Sequence, residues 1–328
     1  MEPTVADGDR VLVAGGSGFL GGNLAMRLRD QGYRVRISYF RHPPRFAADG
    51  MEVVQADLCE EADCQRVVAG MDHVFMCAAV TSGAFVIRTT PLAHVTPNVV
   101  MNARMLEAAY NGGVGKFVFI SSAAAYPPTG SRPVGEDEMF DADPFDAYHA
   151  AGWMKRYAEI LCRTYAEKLA RAMATLVIRP SNVYGPHDKF DFATSHVTAA
   201  LIRKVLERHR PIEVWGTGED VRDVIYIDDF VDGVMAAFRL DQAHLTVNIA
   251  SGRGHTVKEI LATAIKVDGF ADAEVRFDPT KPGTTPILLV DTRRARELLG
   301  FEATVSLEEG IARTLAWLRG MPQSVWLR

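Results

Sequence analysis

The chain has 328 residues, 48% of them hydrophobic, with 41 acidic against 36 basic side chains and a formal net charge of −5. This is ample material for a large core in one or two α/β units, and it offers no global basic field to attract nucleic acid or an anionic membrane surface. Four cysteines, at 59, 64, 77 and 162, show neither zinc-site nor disulfide-framework spacing, so reduced thiols, no metal and a cytoplasmic location are expected. The first ten residues lack an apolar export core and eighteen apolar residues never run together, so neither export nor membrane anchoring is expected.

Val11 to Ala14 reads as a short strand, and Phe19 to Arg29 carries apolar residues at helical spacing before Gly32 stops it. Between them, Gly15, Gly18 and Gly21 permit a tight turn and a close approach of backbone to a pyrophosphate. Phe19 and Leu20 open a helix whose first N–H groups face that anion. The GxxGxxG spacing resembles the short-chain dehydrogenase/reductase superfamily. The next predicted strand, Arg34 to Phe40, lacks the acidic end residue that binds adenosine ribose hydroxyls. Arg41 and Arg45 follow instead, which favours NADP over NAD because guanidinium groups suit a 2′-phosphate.

Strand and helix keep alternating through Glu52 to Gln55, Asp63 to Ala69, His73 to Cys77, Asn98 to Tyr110 and Lys116 to Ile120, and later a strand ending at Asp229 leads into a helix that Asp229 is expected to cap, running to Arg239. Such βα units predict a Rossmann-type doubly wound parallel sheet of about seven strands. Residues 1–180 are expected to hold the dinucleotide, with a return segment near 223–250, and residues 181–328 to form mainly a smaller C-terminal α/β substrate lobe. The resemblance implies further cofactor contacts from Asp57 and Leu58 at the adenine, from Ala78 and Ala79, and from Asn98.

After Ile120 comes Ser121-Ser122-Ala123-Ala124-Ala125-Tyr126-Pro127. It resembles the extended, sugar-nucleotide branch of the superfamily, the NAD-dependent epimerase/dehydratase family, whose matching Ser or Thr holds the reacting sugar oxygen; here that is Ser122. Dehydratases carry an Asp-Glu pair next, and Ala123 and Ala124 cannot replace it. The family's Tyr-x-x-x-Lys helix is matched by Gly152, Lys155 and Glu159, a frame that places Ala151 in the tyrosine slot. In that frame Lys155 lowers the phenol pKa and holds the nicotinamide ribose, while the tyrosine exchanges a proton with the substrate. A methyl group cannot. The intact neighbouring motifs point to an inactivating Tyr-to-Ala change, with a naturally unconventional member as the alternative. Tyr148, one turn upstream, is the candidate partial substitute, displaced by about 5 Å along the helix axis.

The run Arg179-Pro180-Ser181-Asn182-Val183-Tyr184-Gly185-Pro186-His187-Asp188, continued by Ser195-His196-Val197, resembles the GDP-fucose synthase branch. The resemblance makes His196 the ring-epimerisation acid and Asn182 a diphosphate contact. It departs at Ala124, where that branch has its cysteine base, which leaves C3/C5 epimerisation in doubt. Val214 to Asp223 matches a nucleotide-reading turn in which Arg222 grips the diphosphate, with Lys204 and Lys281 as further substrate contacts. The reading is an NAD(P)-dependent sugar-nucleotide epimerase/reductase acting at hexose C4 on a GDP-4-keto-hexose-like substrate, as a homodimer. Its alternatives are a C4 epimerase with tightly bound NAD and a non-catalytic nucleotide-sugar binding protein.

Overall fold

In the computed structural model, which describes residues 6, 8–81, 90, 92–281 and 287–327, the first glycine turn sits where a parallel sheet changes direction. The early strands are β1 (Arg10–Ala14), β2 (Arg34–Tyr39), β3 (Glu52–Gln55), β4 (His73–Met76), β5 (Lys116–Ile120) and β6 (Ala174–Pro180). They are followed by β7 (Asn182–Tyr184), β8 (Ile212–Trp215), β9 (Val221–Tyr226) and β10 (His244–Ile249). The main sheet has seven strands in the order β10-β6-β5-β4-β1-β2-β3, all parallel. From β1 the chain runs outward to β2 and β3, then returns to β4 on the other side of β1. The crevice beyond the carboxyl ends of β1 and β4 is therefore the ligand position of such a sheet.

Both faces of the central strands are covered, and every residue of β4 and β5 is buried. The period of two is visible along β5, where Val118 and Ile120 join one core layer while Phe117 and Phe119 join the other. The helices are α1 (Phe19–Asp30), α2 (Glu61–Val68), α3 (Leu92–Asn111), α4 (His149–Glu167), α5 (Val197–Leu206) and α6 (Ile227–Phe238). Beyond β6, β7 and two later short strands, Gly254–Thr256 and Ile287–Leu288, pair with β9, while Val275–Asp278 pairs with β8. Among the described residues, no helix is long and apolar enough to cross a membrane.

Two elements differ from their sequence expectation. Helix α3 starts at Leu92 instead of Asn98 and contains Pro97. A proline normally ends a helix, but buried Met101, Met105 and Leu106 anchor this one on the sheet, and the Asn98 amide donates to the His94 carbonyl at 2.7 Å. Helix α6 likewise starts at Ile227, so Asp229 is not its cap. Asp229 is buried and accepts hydrogen bonds from the backbone N–H groups of Thr304 and Val305 at 3.0 and 2.8 Å. Satisfying those buried donors outweighs a capping role.

Candidate active site

The glycine turn closes tightly between β1 and α1. Gly15 has φ +78°, and a Cβ on it would stand 2.6 Å from the Ala78 backbone. A Cβ on Gly21 would stand 2.4 Å from the Gly15 carbonyl oxygen, so neither position tolerates a side chain without opening the turn. Gly18 precedes α1 without offering a side-chain cap, which leaves the first-turn N–H groups of Phe19 and Leu20 available to an anion. Ala78, at the exit of β4, touches this cradle and keeps the approach low. The shape fits a dinucleotide pyrophosphate.

Leu58 is buried, and the Asp57 carboxylate accepts from the Cys59 N–H at 2.9 Å. Arg41 is exposed with its guanidinium over the Phe40 ring, whereas Arg45 donates to the carbonyls of Ser324 and Val325 at 2.6 and 2.7 Å. Arg45 thus holds the C-terminal segment, and Arg41 is the better placed of the two for a phosphate. Asn98 is buried and turned inward, exchanging two 2.9 Å bonds with the backbone of Val80. It shapes the loop after Ala78 and Ala79.

Ser122 and Lys155 meet at the end of β5. Lys155 Nζ donates to the Ile120 carbonyl at 2.8 Å and lies over the Phe119 ring. Burial pushes the Lys155 pKa down to about 8, although the Glu159 carboxylate pulls the other way. Ser122 Oγ accepts from the Ala124 N–H at 3.1 Å, capping the turn Ala123–Ala125, and so its own O–H remains to donate outward. Ala151 occupies α4 one turn before Lys155, on the same helical face. Gly152 beside it is required by packing, since a Cβ there would stand 2.6 Å from the Pro144 ring.

An open cleft of about 340 Å³ lies beyond the strand ends. Ser122, Ala123 and Ala124 form one wall; Pro180, Ser181 and Asn182 form another, with Tyr148, Arg222 and Leu288 completing it. Asn182 is oriented by a 3.0 Å bond from Nδ2 to the Asp223 carbonyl. Arg222 is buried and pairs with Asp220 at 3.1 Å, while the buried Asp223 accepts from Ser181, Ser251 and Gly252. The predicted residues Ser122, Asn182 and Arg222 therefore converge.

Lys204, Lys281 and His196 do not line that cleft. Lys204 Nζ donates to the Glu213 carbonyl at 2.6 Å, and its pKa is lowered by burial and by the neighbouring Lys281 ammonium. Lys281 sits over the exposed Trp215 ring and 3.6 Å from Asp278; Pro282, Gly283 and Thr284 of its loop lie outside the described residues. His196 is exposed at the N-terminus of α5, outside that cleft. Among the described residues, no three His, Cys, Asp or Glu side chains are placed to hold a metal ion.

The NAD dependent epimerase/dehydratase family model matches residues 11–250. The chain belongs to this family. Over 96% of both chains it is 28% identical to a GDP-L-fucose synthase of Sinorhizobium fredii. It is 29% identical to a GDP-mannose 3,5-epimerase of Oryza sativa, over 94% of this chain and 82% of the other. Among solved structures, a UDP-glucose 4-epimerase from Thermotoga maritima with UDP-glucose superposes with a TM-score of 0.84 at 27% identity, over 95% and 99% of the two chains. The family is thus one of nucleotide-sugar epimerases and reductases working with nicotinamide dinucleotides.

Two residues do more in the structure than their motif positions predict. Tyr148 lines the cleft, and Glu159 is engaged in a buried network instead of simply marking a motif. Glu159 accepts from Ser121 and from Arg179, whose Nη2 lies at 2.6 Å, and Arg179 also donates to Tyr126 Oη at 2.8 Å. The sequence signal for the network was present in Glu159 four residues after Lys155, but its partners come from three separate elements.

Proposed function

We propose that this chain is an NAD(P)-dependent nucleotide-sugar epimerase/reductase that transfers hydride at hexose C4, on a GDP-4-keto-hexose-like substrate, and that Ala151 removes the family's usual proton donor. The observation carrying this reading is the convergence of Ser122, Asn182 and Arg222 on one cleft at the strand ends, with Lys155 held to the Ile120 carbonyl two residues before Ser122. A dinucleotide bound along the glycine cradle supplies hydride exchange. Lys155 is positioned to hold its ribose, Ser122 donates a hydrogen bond to the sugar oxygen, and Asn182 and Arg222 hold the diphosphate.

Residues to 180, with the return through β9 and β10, hold the dinucleotide in this reading, while the lobe after 180 mainly reads the substrate. Lys204, Lys281 and Trp215 offer two cations and an exposed ring for the nucleotide end. Arg41 supports a preference for NADP. A homodimer fits the half-exposed Trp153, Tyr157 and Ile160, which share one face of α4 at helical spacing. His196 is retained as a proton-transfer residue for any ring epimerisation, acting from the helix end.

The reading is tested by thermal shift with GDP-, UDP- and dTDP-hexoses. Arg222→Gln should weaken binding of the stabilising nucleotide sugar by about tenfold to a hundredfold, the loss of one charge-assisted contact of about 1.5–3 kcal/mol. No stabilisation by any of the three classes would refute it.

The lowered Lys155 pKa adds a pH dependence. Its ammonium is lost as pH rises through about 8 instead of its ordinary 10.5, so dinucleotide affinity should fall above pH 8. The slope should approach about tenfold per pH unit, and Lys155→Met should abolish it. Folding stability responds oppositely. Between about 8 and 10.5 the unfolded chain binds more protons at this group than the folded one, so this contribution rises with pH. Titration calorimetry and denaturation across that range separate the two.

A further inference from the structure

With alanine at position 151, a proton for the sugar oxygen must come from elsewhere, and among the described residues a tyrosine borders the cleft. Tyr148 lines it together with Ser122, Asn182 and Arg222. Local backbone explains how. Asp146–Tyr148 forms a tight turn in which the Tyr148 N–H donates to the Phe145 carbonyl at 2.7 Å, and α4 begins only at His149. Tyr148 has φ −114° and ψ 9°, outside the α-helical basin.

A helix continued straight through 148 would set that residue about 4.5 Å down the axis from 151. Tyr148 directly precedes the first residue of α4, so its Cα keeps about that offset, and its place in the cleft lining is what sets it at the site. Its entry is also fixed, because Pro144 packs on Gly152 where no Cβ fits. Residues 148 and 151 lie three apart, and the methyl group of Ala151 is too small to fill the space a tyrosine there would take.

We propose that Tyr148 is the proton donor of this chain. Tyr148 Oη gives its proton to the C4 oxygen of the 4-keto sugar, and the electron pair of the broken O–H bond stays on the tyrosine oxygen. The carbonyl π pair becomes the new sugar O–H bond. The hydrogen and electron pair gained by C4 arrive as hydride from reduced nicotinamide dinucleotide, so the sugar is reduced, the dinucleotide oxidised, and solvent reprotonates the phenolate. The Ser122 hydroxyl donates to the same sugar oxygen and holds it toward the phenol. In the reverse direction Tyr148 accepts the proton. This rests on the nucleotide-sugar reading above, and it assigns a catalytic group at a position other than the one Lys155 defines.

The test uses the unaltered full chain, Tyr148→Phe, Ala151→Tyr and the double variant. Binding is followed with GDP-mannose by thermal shift and by the ultraviolet difference spectrum of tyrosine. Hydride transfer is followed with GDP-4-keto-6-deoxymannose as loss of reduced-nicotinamide absorbance. Tyr148→Phe should keep the GDP-mannose thermal shift, lose the tyrosine difference signal and transfer hydride about tenfold to a hundredfold more slowly than the unaltered chain. Adding Ala151→Tyr to Tyr148→Phe should recover the rate, by a larger factor than the same change gives in the unaltered chain, because the two phenols then serve one role.

An unchanged rate in Tyr148→Phe overturns the proposal. So does an unaltered chain that binds GDP-mannose yet transfers no hydride. If GDP-mannose stabilises none of the four proteins, the nucleotide-sugar reading fails first and the proposal with it.

Discussion

Ala151→Tyr should raise the hydride-transfer rate of this chain by about 10²-fold, and by up to about 10⁴-fold in the Tyr148→Phe background, the range contributed by a positioned acid-base group. The substitution places a phenol one turn before Lys155 on the same face of α4, where the neighbouring ammonium stabilises the phenolate. Ser122 needs no rearrangement, because its oxygen already accepts from Ala124 and its hydroxyl hydrogen is free to turn to the substrate. Nor does the helix, since Gly152 keeps the close contact with Pro144. Dinucleotide affinity should change little, so the gain belongs in kcat. A gain confined to KM would mean that position 151 binds substrate without moving a proton.

The largest stability effect is expected at Glu159. Its carboxylate and the Arg179 guanidinium are 5% and 4% exposed, and the pair links α4 to β6. Arg179 also donates to the Glu136 carbonyl at 2.7 Å, and Tyr126 passes the network to Asn248 on β10 through a 2.7 Å bond. Glu159→Gln leaves a buried guanidinium without its counter-charge and should cost about 3–5 kcal/mol by chemical denaturation. Replacing both partners, as Glu159→Met with Arg179→Met, should recover most of that loss, since a well-packed apolar pair avoids burying charge. A single-variant cost below about 1 kcal/mol would place the pair among solvent-screened ion pairs.

Much of the fold was legible because its signals are local. Short apolar runs and helical stripes gave β1, α1, β3 and β5, and the glycine spacing placed the tight turn between β1 and α1. The same locality limited the reading. The helix expected from Asn98 starts instead at Leu92, because packing of Met101 and Met105 carries α3 through Pro97. Asp229 looked like a helix cap, but a loop some 75 residues later supplies the donors it satisfies. In the site, Ser122, Asn182 and Arg222 matched family motifs and converge on one cleft. Arg222 pairs with Asp220 instead of the adjacent Asp223, whose carboxylate is occupied by Ser181, Ser251 and Gly252. Tyr148 was undervalued because an offset along a helix axis does not decide which cleft a long side chain lines.

The central claim, that this cleft performs hydride transfer at a hexose C4, is met most directly by deuterium transfer. Ala151→Tyr is incubated with GDP-4-keto-6-deoxymannose and reduced nicotinamide dinucleotide carrying deuterium at its transferable position, and the product sugar is read by mass spectrometry and proton NMR. The account predicts one deuterium at sugar C4. A protein that binds both ligands but leaves C4 free of deuterium would contradict it.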